Sequence, residues 1–449
     1  MTDHKNGAGP LLETFARHEK QLTGQGGSWT AALRRRALER FAERGFPTLK
    51  DEAWRQTSVA PIAKTPFALK PAYRLDGVTP QVLERMTFEP WTCTHIVFVD
   101  GHHVPELSRL RPLPAGVKLG NLKAAVRADR ARVEPHLAHY AEERDHPFTA
   151  LNTAFMGDGA CIEVPRGVAV DEPIHLLFVS TGDGEGAAPM SHPRNLILAG
   201  AGSRLTVVES YVGLGRGVYL TNAVSEIVVS EGAAVDHYKL QRESDEAFHV
   251  ATLQARLDRD SVFASHSVAL GGSLVRNEVN AVLDGPGVDC TLNGLYVASG
   301  GQHVDNHTSI DHARPHGTSR ELYKGVLGDR ARGVFEGTII VRQDAQKTDA
   351  RQTNKNLLIS DEALVDTKPQ LQILADDVKC THGATIGQID EDAMFYLRTR
   401  AVGEEMARNI LIHAFVNDLL DRIKVDAIRA GLECLLATQL PRHTTREAL

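Results

Sequence analysis

Five stretches of this chain share one plan: an apolar strand, a small polar turn, and a second apolar position eight residues after the first. They are ILAGAGSRLTVVE from Ile197, IVVSEGAAVDHYK from Ile227, ARLDRDSVFASHS from Ala255, VLDGPGVDCTLNG from Val282 and LGDRARGVFEGTI from Leu327. The second positions Leu205, Val235, Phe263 and Cys290 recur every 27 to 30 residues, before a longer gap to Phe335. A period of this length is the mark of a solenoid, because one turn of β-strand cannot bury its own inward face and must stack on the next. Inward Val, Ile and Leu then form ladders, with Gly and Asp at the corners. A β-sandwich with evenly spaced hairpins gives the same spacing, so pattern alone leaves both architectures open.

The repeats sit in a region from Leu151 to about Gln388 where Val/Ile/Leu strands alternate with short turns and no helical period intervenes. The flanks read differently. From Leu11 to Gly45 the text is helical, SWTAALRRRALERFAERG setting Ala32, Leu33, Leu38 and Phe41 among arginines before a glycine stop. The proline-led FPTLKDEAWRQT follows, then THIVFV at 94–99 as a first strand and the charged, helical NLKAAVRADRARVEPHLAHYAEER. Beyond Gln388, Asp390 is placed as a helix N-cap, with Glu391 and Asp392 in the first turn and Arg398 and Arg400 at the end, the order a helix dipole favours. In the next helix Ile412, Phe415, Leu419 and Ile423 make an apolar stripe, and Asn409, His413, Asn417 and Asp421 a polar one. GLECLLATQLPRHTTREAL adds a third, short helix before a disordered end.

The expected organisation is mainly β: a mixed, largely helical region over 1–147, a parallel β-helix over 148–389 and a helical region over 390–449. Each end of a solenoid exposes strand edges that must be covered. The C-terminal helices therefore read either as a cap or as a docking surface.

Chemistry enters at LQILADDVKCTHGATIGQID, residues 371–390. In an extended strand Asp376, Val378, Cys380 and His382 share one face, and Asp377, Lys379 and Thr381 the other. A thiolate beside an imidazole suits zinc or iron, and Gly383 permits close backbone approach. Yet two ligands do not close a tetrahedral site. The pair reads as a structural couple, as half a metal site, or as a Cys–His nucleophile, the last with no orienting third group or oxyanion hole in view. In GGQHVDNHTSIDHARPHGTS, His303, Asp305 and His307 share a face if extended; corner hydrogen bonding by these residues with Asp311, His312 and His316 is the competing reading.

Several classes drop out. The net charge of −7 gives no general attraction to nucleic acid or anionic lipid, so neither nucleic acid nor membrane is an expected partner. Five scattered cysteines with no Cys-x-x-Cys fit a reducing compartment. MTDHKNGAGPLLETFARHEK lacks an apolar signal core and no run of 18 apolar residues follows, so a cytoplasmic protein is expected. No phosphate-binding loop occurs, and GLGRG at 213–217 lacks strand-to-helix context, so any nucleotide hydrolysis belongs to a partner. Asp236, Asp284 and Asp289 admit a carbohydrate-active enzyme, on fold analogy alone.

AQKTDARQTNKNLLISDEALVDTKPQLQILADDVKCTHGATIGQIDEDAMFYLRTRAV resembles the C-terminal signature of the SufB/SufD family of iron–sulfur cluster assembly proteins, with KCTHGATIGQ nearest its SufD branch. GFPTLKDEAWRQT, LNTAFMGDGACIEVPRGVAVDEPIHL and RNEVNAVLDGPGVDCTLNGLYVASGGQHVDNHT extend the likeness over roughly residues 45–420. The resemblance implies a right-handed parallel β-helix and a non-catalytic scaffold that works with a SufB-like protein and a SufC-like ATPase. It implies that Cys380 and His382 lie at the junction with the SufB-like chain and hold iron or a nascent iron–sulfur cluster, the remaining ligands coming from that chain. It places Tyr396, Arg398, Arg400, Ile412 and Phe415 in the region that engages the ATPase. Whether the isolated chain forms a homodimer stays open. Two positions depart from the family pattern: Ala401 stands where glycine is common, weakening a tight helix stop, and Gly317 where cysteine is frequent, so Gly317 is given no ligand role. A carbohydrate-active β-helix and a purely structural solenoid are the alternatives.

Overall fold

The computed structural model describes residues 7–23, 27–75, 77–87, 93–141, 146–182 and 186–443. From the strand Ala160–Val164 to the strand Lys379–Gly387 the chain winds as a parallel β-solenoid of about 7 turns. Strands alternate between two sheets, and from Arg194–Ala199 onward each pairs in parallel with the strand two ahead of it in sequence. Such pairing has no hairpins, which removes the sandwich alternative.

The ladder expected from the repeats is present. Leu205, Val235, Phe263 and Cys290 are in mutual register, and the line continues through Ser319 and Ala350 to Cys380. Phe335 is not part of it: it lies in the opposite sheet, in register with Asn306 and Thr367. Each turn of this solenoid has two strands and two corners, and the stretch from Leu327 samples the other corner. At equivalent positions of the first corner, Gly202 and Gly232 adopt φ of +67° and +65°, backbone angles that any side chain would strain.

Between the sheets lies an apolar core that includes Ile197, Ile227, Val235, Phe263, Phe335 and Ile339. At its start the register stacks Phe98 on Phe178 and Phe178 on Tyr211, with ring centres 4.9 and 4.8 Å apart. The strands Thr94–Val99 and Lys118–Asn121 add to the two sheets here, and antiparallel pairs with His102–His103 and Ala160–Val164 finish this end.

Three expectations need correction. Pro147–Phe155 is a helix with every residue buried, although strands were expected from Leu151; a helix buried all round lacks the amphipathic period by which helices are read. NLKAAVRADRARVEPHLAHYAEER is helical only over Leu122–Ala128 and Arg130–Val133 within its described part. The last helix is not short but runs Asp426–His443, and the expected disordered end at 444–449 lies outside the described residues.

The C-terminal helices do not cap the solenoid. Ile412, Val416, Leu419 and Ile423 pack against Tyr238, Leu240, Leu295 and Leu322 on the outer face of one sheet. Among the described residues the end of the solenoid therefore stays open, with Leu364–Ile373 and Lys379–Gly387 as the edge strands of the two sheets. No helix among the described residues is long and apolar enough to cross a membrane.

Candidate functional site

Cys380 and His382 stand on the last strand of the solenoid, which pairs with Asp349–Leu358 on one side only. Cys380 is in register with Ala350 and His382 with Gln352, so both occupy the face that in earlier turns points into the core. With no further turn among the described residues stacked above them, Cys380 is half-buried against that core and His382 is exposed. Burial pushes the Cys380 thiol up, opposed by a backbone hydrogen bond at Ala350. That direction works against a nucleophilic Cys–His pair, which needs a depressed thiol.

The preceding residues serve structure: Val378 packs on the core, and Asp377 is ion-paired with Lys347. A Cβ added at Gly383 would meet nothing within 4 Å. Among the described residues no group of three or more His, Cys, Asp or Glu is placed to hold a metal ion, so Cys380 and His382 have no third such ligand there.

The histidine-rich stretch is a ten-residue strand, His303–His312, rather than a polar corner. His303, Asp305 and His307 do share a face, the outer one, where the segment 52–57 lies across them. Thr57 donates to Asp305 at 2.5 Å and shares a hydrogen bond with His303, while His307 Nε2 is 3.1 Å from Asp305. On the opposite face His312 bonds Ser319; Asp311 pairs with Arg342, and His316 takes a corner with φ of +62°. Of the three carboxylates weighed for sugar chemistry, Asp236 pairs with Lys424 at 2.9 Å and Asp284 with Arg256 at 2.8 Å, while Asp289 is exposed at the start of its strand.

At the C-terminal helices, Asp390 caps Glu391–Thr399 by accepting from the Ala393 N–H. Tyr396 is exposed with the Arg400 guanidinium 4.9 Å from its ring centre, and Arg398 faces Glu404 at 3.8 Å. Ile412 is fully buried against the chain's own sheet and Phe415 is half-buried beside Lys324, so these two hold the helix in place. Phe395, Met406 and Ile410, not singled out from the sequence, are exposed large apolar residues among those described on these helices. Phe395 beside Tyr396 was the readable signal, since adjacent aromatics on one short helix cannot both face inward.

Residues 178–415 match the domain described as SUF system FeS cluster assembly, SufBD core domain, and residues 6–176 match the SufBD protein N-terminal region. This chain belongs to the SufBD family of iron–sulfur cluster assembly proteins. It is 31% identical to a SufBD family protein of Synechocystis, over 93% of this chain and 92% of that one. It is 30% identical to the iron–sulfur cluster assembly protein SufD of Escherichia coli over 90% and 92% of the two chains. It is also 31% identical to the chloroplastic protein ABCI7 of Arabidopsis thaliana, over 87% and 84%. The SufBD core match thus spans the solenoid's long strands, the Cys380–His382 edge and the start of the C-terminal helices.

Proposed function

We propose that this SufBD-family protein is a cytoplasmic, non-catalytic scaffold subunit that joins a SufB-like chain through the open end of its solenoid. Cys380 and His382 offer two ligands to iron or a nascent cluster at that junction, and the partner supplies the others. The observation that carries this reading is the pairing of an uncovered solenoid end with an incomplete ligand set on its last strand. An edge strand left bare is an aggregation hazard unless another chain covers it. The clear space at Gly383 suits a backbone approaching from outside. The exposed Tyr396, Arg398 and Arg400, with Phe395 and Met406 beside them, form the surface to which a SufC-like ATPase docks, and nucleotide hydrolysis belongs to that subunit.

The test is the His382→Ala chain assembled with its partners. It should fold and join the complex, yet yield markedly less iron and sulfide after anaerobic reconstitution. A normal yield would refute the site.

A further inference from the structure

The interior of the solenoid carries polar side chains close to the open end. Glu321, Gln352 and His382 occupy one register line in three successive strands. Gln352 is 1% exposed and Glu321 3%. A buried polar side chain costs free energy unless its hydrogen bonds are made, so each needs a reason.

Half of that reason is visible. Gln352 Nε2 donates to Glu321 Oε2 at 2.8 Å, which decides which end of the amide faces the carboxyl group. Burial pushes the Glu321 carboxyl up to about 7, opposed by the Gln352 amide, and one of its oxygens accepts from that amide in either protonation state. From the opposite sheet Gly337 closes the space: a Cβ there would stand 2.3 Å from Gln352 Nε2. The amide is therefore wedged as well as bonded. Its other end is unexplained, because Gln352 Oε1 is buried with no donor among the described residues. An orphaned buried acceptor of this kind is destabilising unless a donor reaches it.

The next rung, roughly 4.8 Å further along the stack, is His382. We propose that Gln352, held by Glu321, positions His382: once the open end is covered, Gln352 Oε1 accepts the imidazole N–H and the other ring nitrogen is left with its lone pair toward the junction. A neutral imidazole has one N–H and one lone pair, and the acceptor bonded to one nitrogen decides which is which. An amide oxygen is suited to this because it only accepts, while the amide's donors are turned to Glu321. Ligating histidines generally need such a partner to fix ring and tautomer.

This inference rests on the reading of His382 as a ligand, and the experiment separates the two. In the assembled complex, Gln352→Met removes the acceptor at nearly the same length, whereas the exchange Glu321→Gln with Gln352→Glu keeps an amide–carboxyl pair and an acceptor oxygen at position 352. Ferrous iron alone is titrated into each anaerobically, with His382→Ala alongside. Gln352→Met should weaken iron binding by about 10–100-fold without loss of partner association, and the exchange should restore it to within a few-fold. In the unsubstituted complex, ¹⁵N-histidine spectra should show His382 as a single tautomer. If His382→Ala weakens iron but Gln352→Met does not, or if His382 is a tautomer mixture in the covered complex, the positioning role is overturned and the ligand role stands. If His382→Ala changes nothing, the ligand reading falls and this inference with it.

Discussion

The Arg276 guanidinium lies 4.1 Å from the centre of the Trp54 ring, joining the DEAWRQT segment to the middle of the solenoid. Arg276 is 1% exposed and donates to the Ala53 carbonyl at 2.9 Å, to Asp305 at 2.6 Å and to Glu278 at 2.8 Å. It holds both carboxyls well below the usual carboxylate range against the opposing effect of burial. Arg276→Met should cost about 3–5 kcal/mol, read as a fall in urea midpoint, because two buried carboxylates lose their counter-charge. Arg276→Lys should recover only part, since an ammonium cannot stack on the indole and fork to both acids.

Two interior groups give stability an unusual pH dependence. Burial moves Glu321 up to about 7, and it moves Lys239 down to about 7, partly offset by Glu209 and Glu243. Between the ordinary glutamate value of about 4.3 and pH 7, native Glu321 keeps a proton that the unfolded chain has released, so its contribution falls as pH rises. Between pH 7 and the ordinary lysine value of about 10.4, the unfolded chain binds a proton that native Lys239 lacks, so that contribution rises. Each arm is on the order of 3 kcal/mol or somewhat more. Denaturation across pH should show the stability difference between Glu321→Gln and the parent growing from pH 4 to 7. The difference for Lys239→Met should shrink from pH 7 to 10. A flat difference in either case would contradict the assignment.

Much of the fold was legible because the interior line Leu205, Val235, Phe263 and Cys290 is apolar and evenly spaced. The open end was harder to read, since an apolar stripe such as Ile412, Leu419 and Ile423 says that a helix packs but not on which surface. The Cys380–His382 pair was readable from strand alternation. The group beneath it was not. In ARQTNKN, Gln352, Asn354 and Asn356 alternate in the manner of a solvent face, yet all three point inward and are buried, so polarity alone points to the wrong side. The His303–His312 strand misled similarly: its outer face is polar because residues 52–57 supply its partners from far away in sequence.

Ala401 ends the helix Glu391–Thr399 with φ of +61°, a left-handed conformation that a Cβ makes costly. The glycine expected there from the family pattern would relieve the strain. Ala401→Gly should stabilise the chain by about 1 kcal/mol, with slower amide exchange in the last turn of that helix. A loss of stability would mean that Ala401 contributes contacts that outweigh its backbone strain.

The open end carries Leu364, Ile373, Leu374 and Ile386, each between 40% and 66% exposed, on or beside the two edge strands. Scattered apolar residues on a surface mean little, but four of them around one uncovered strand edge are what a stacked chain would bury. Ile386 is in register with Asn356 on the final rung, so Ile386→Lys puts a charge on the face a partner would meet and leaves the turns below untouched. Since that side chain is already half exposed, the folded chain should lose no more than about 0.5 kcal/mol. Association is another matter, because a lysine would have to shed its water to enter the junction. Light scattering and co-purification with a SufB-like chain should show at least a tenfold loss of pairing at unchanged melting temperature. Full pairing by the Lys variant would place the junction elsewhere and would count against the proposed sharing of a ligand set by Cys380 and His382.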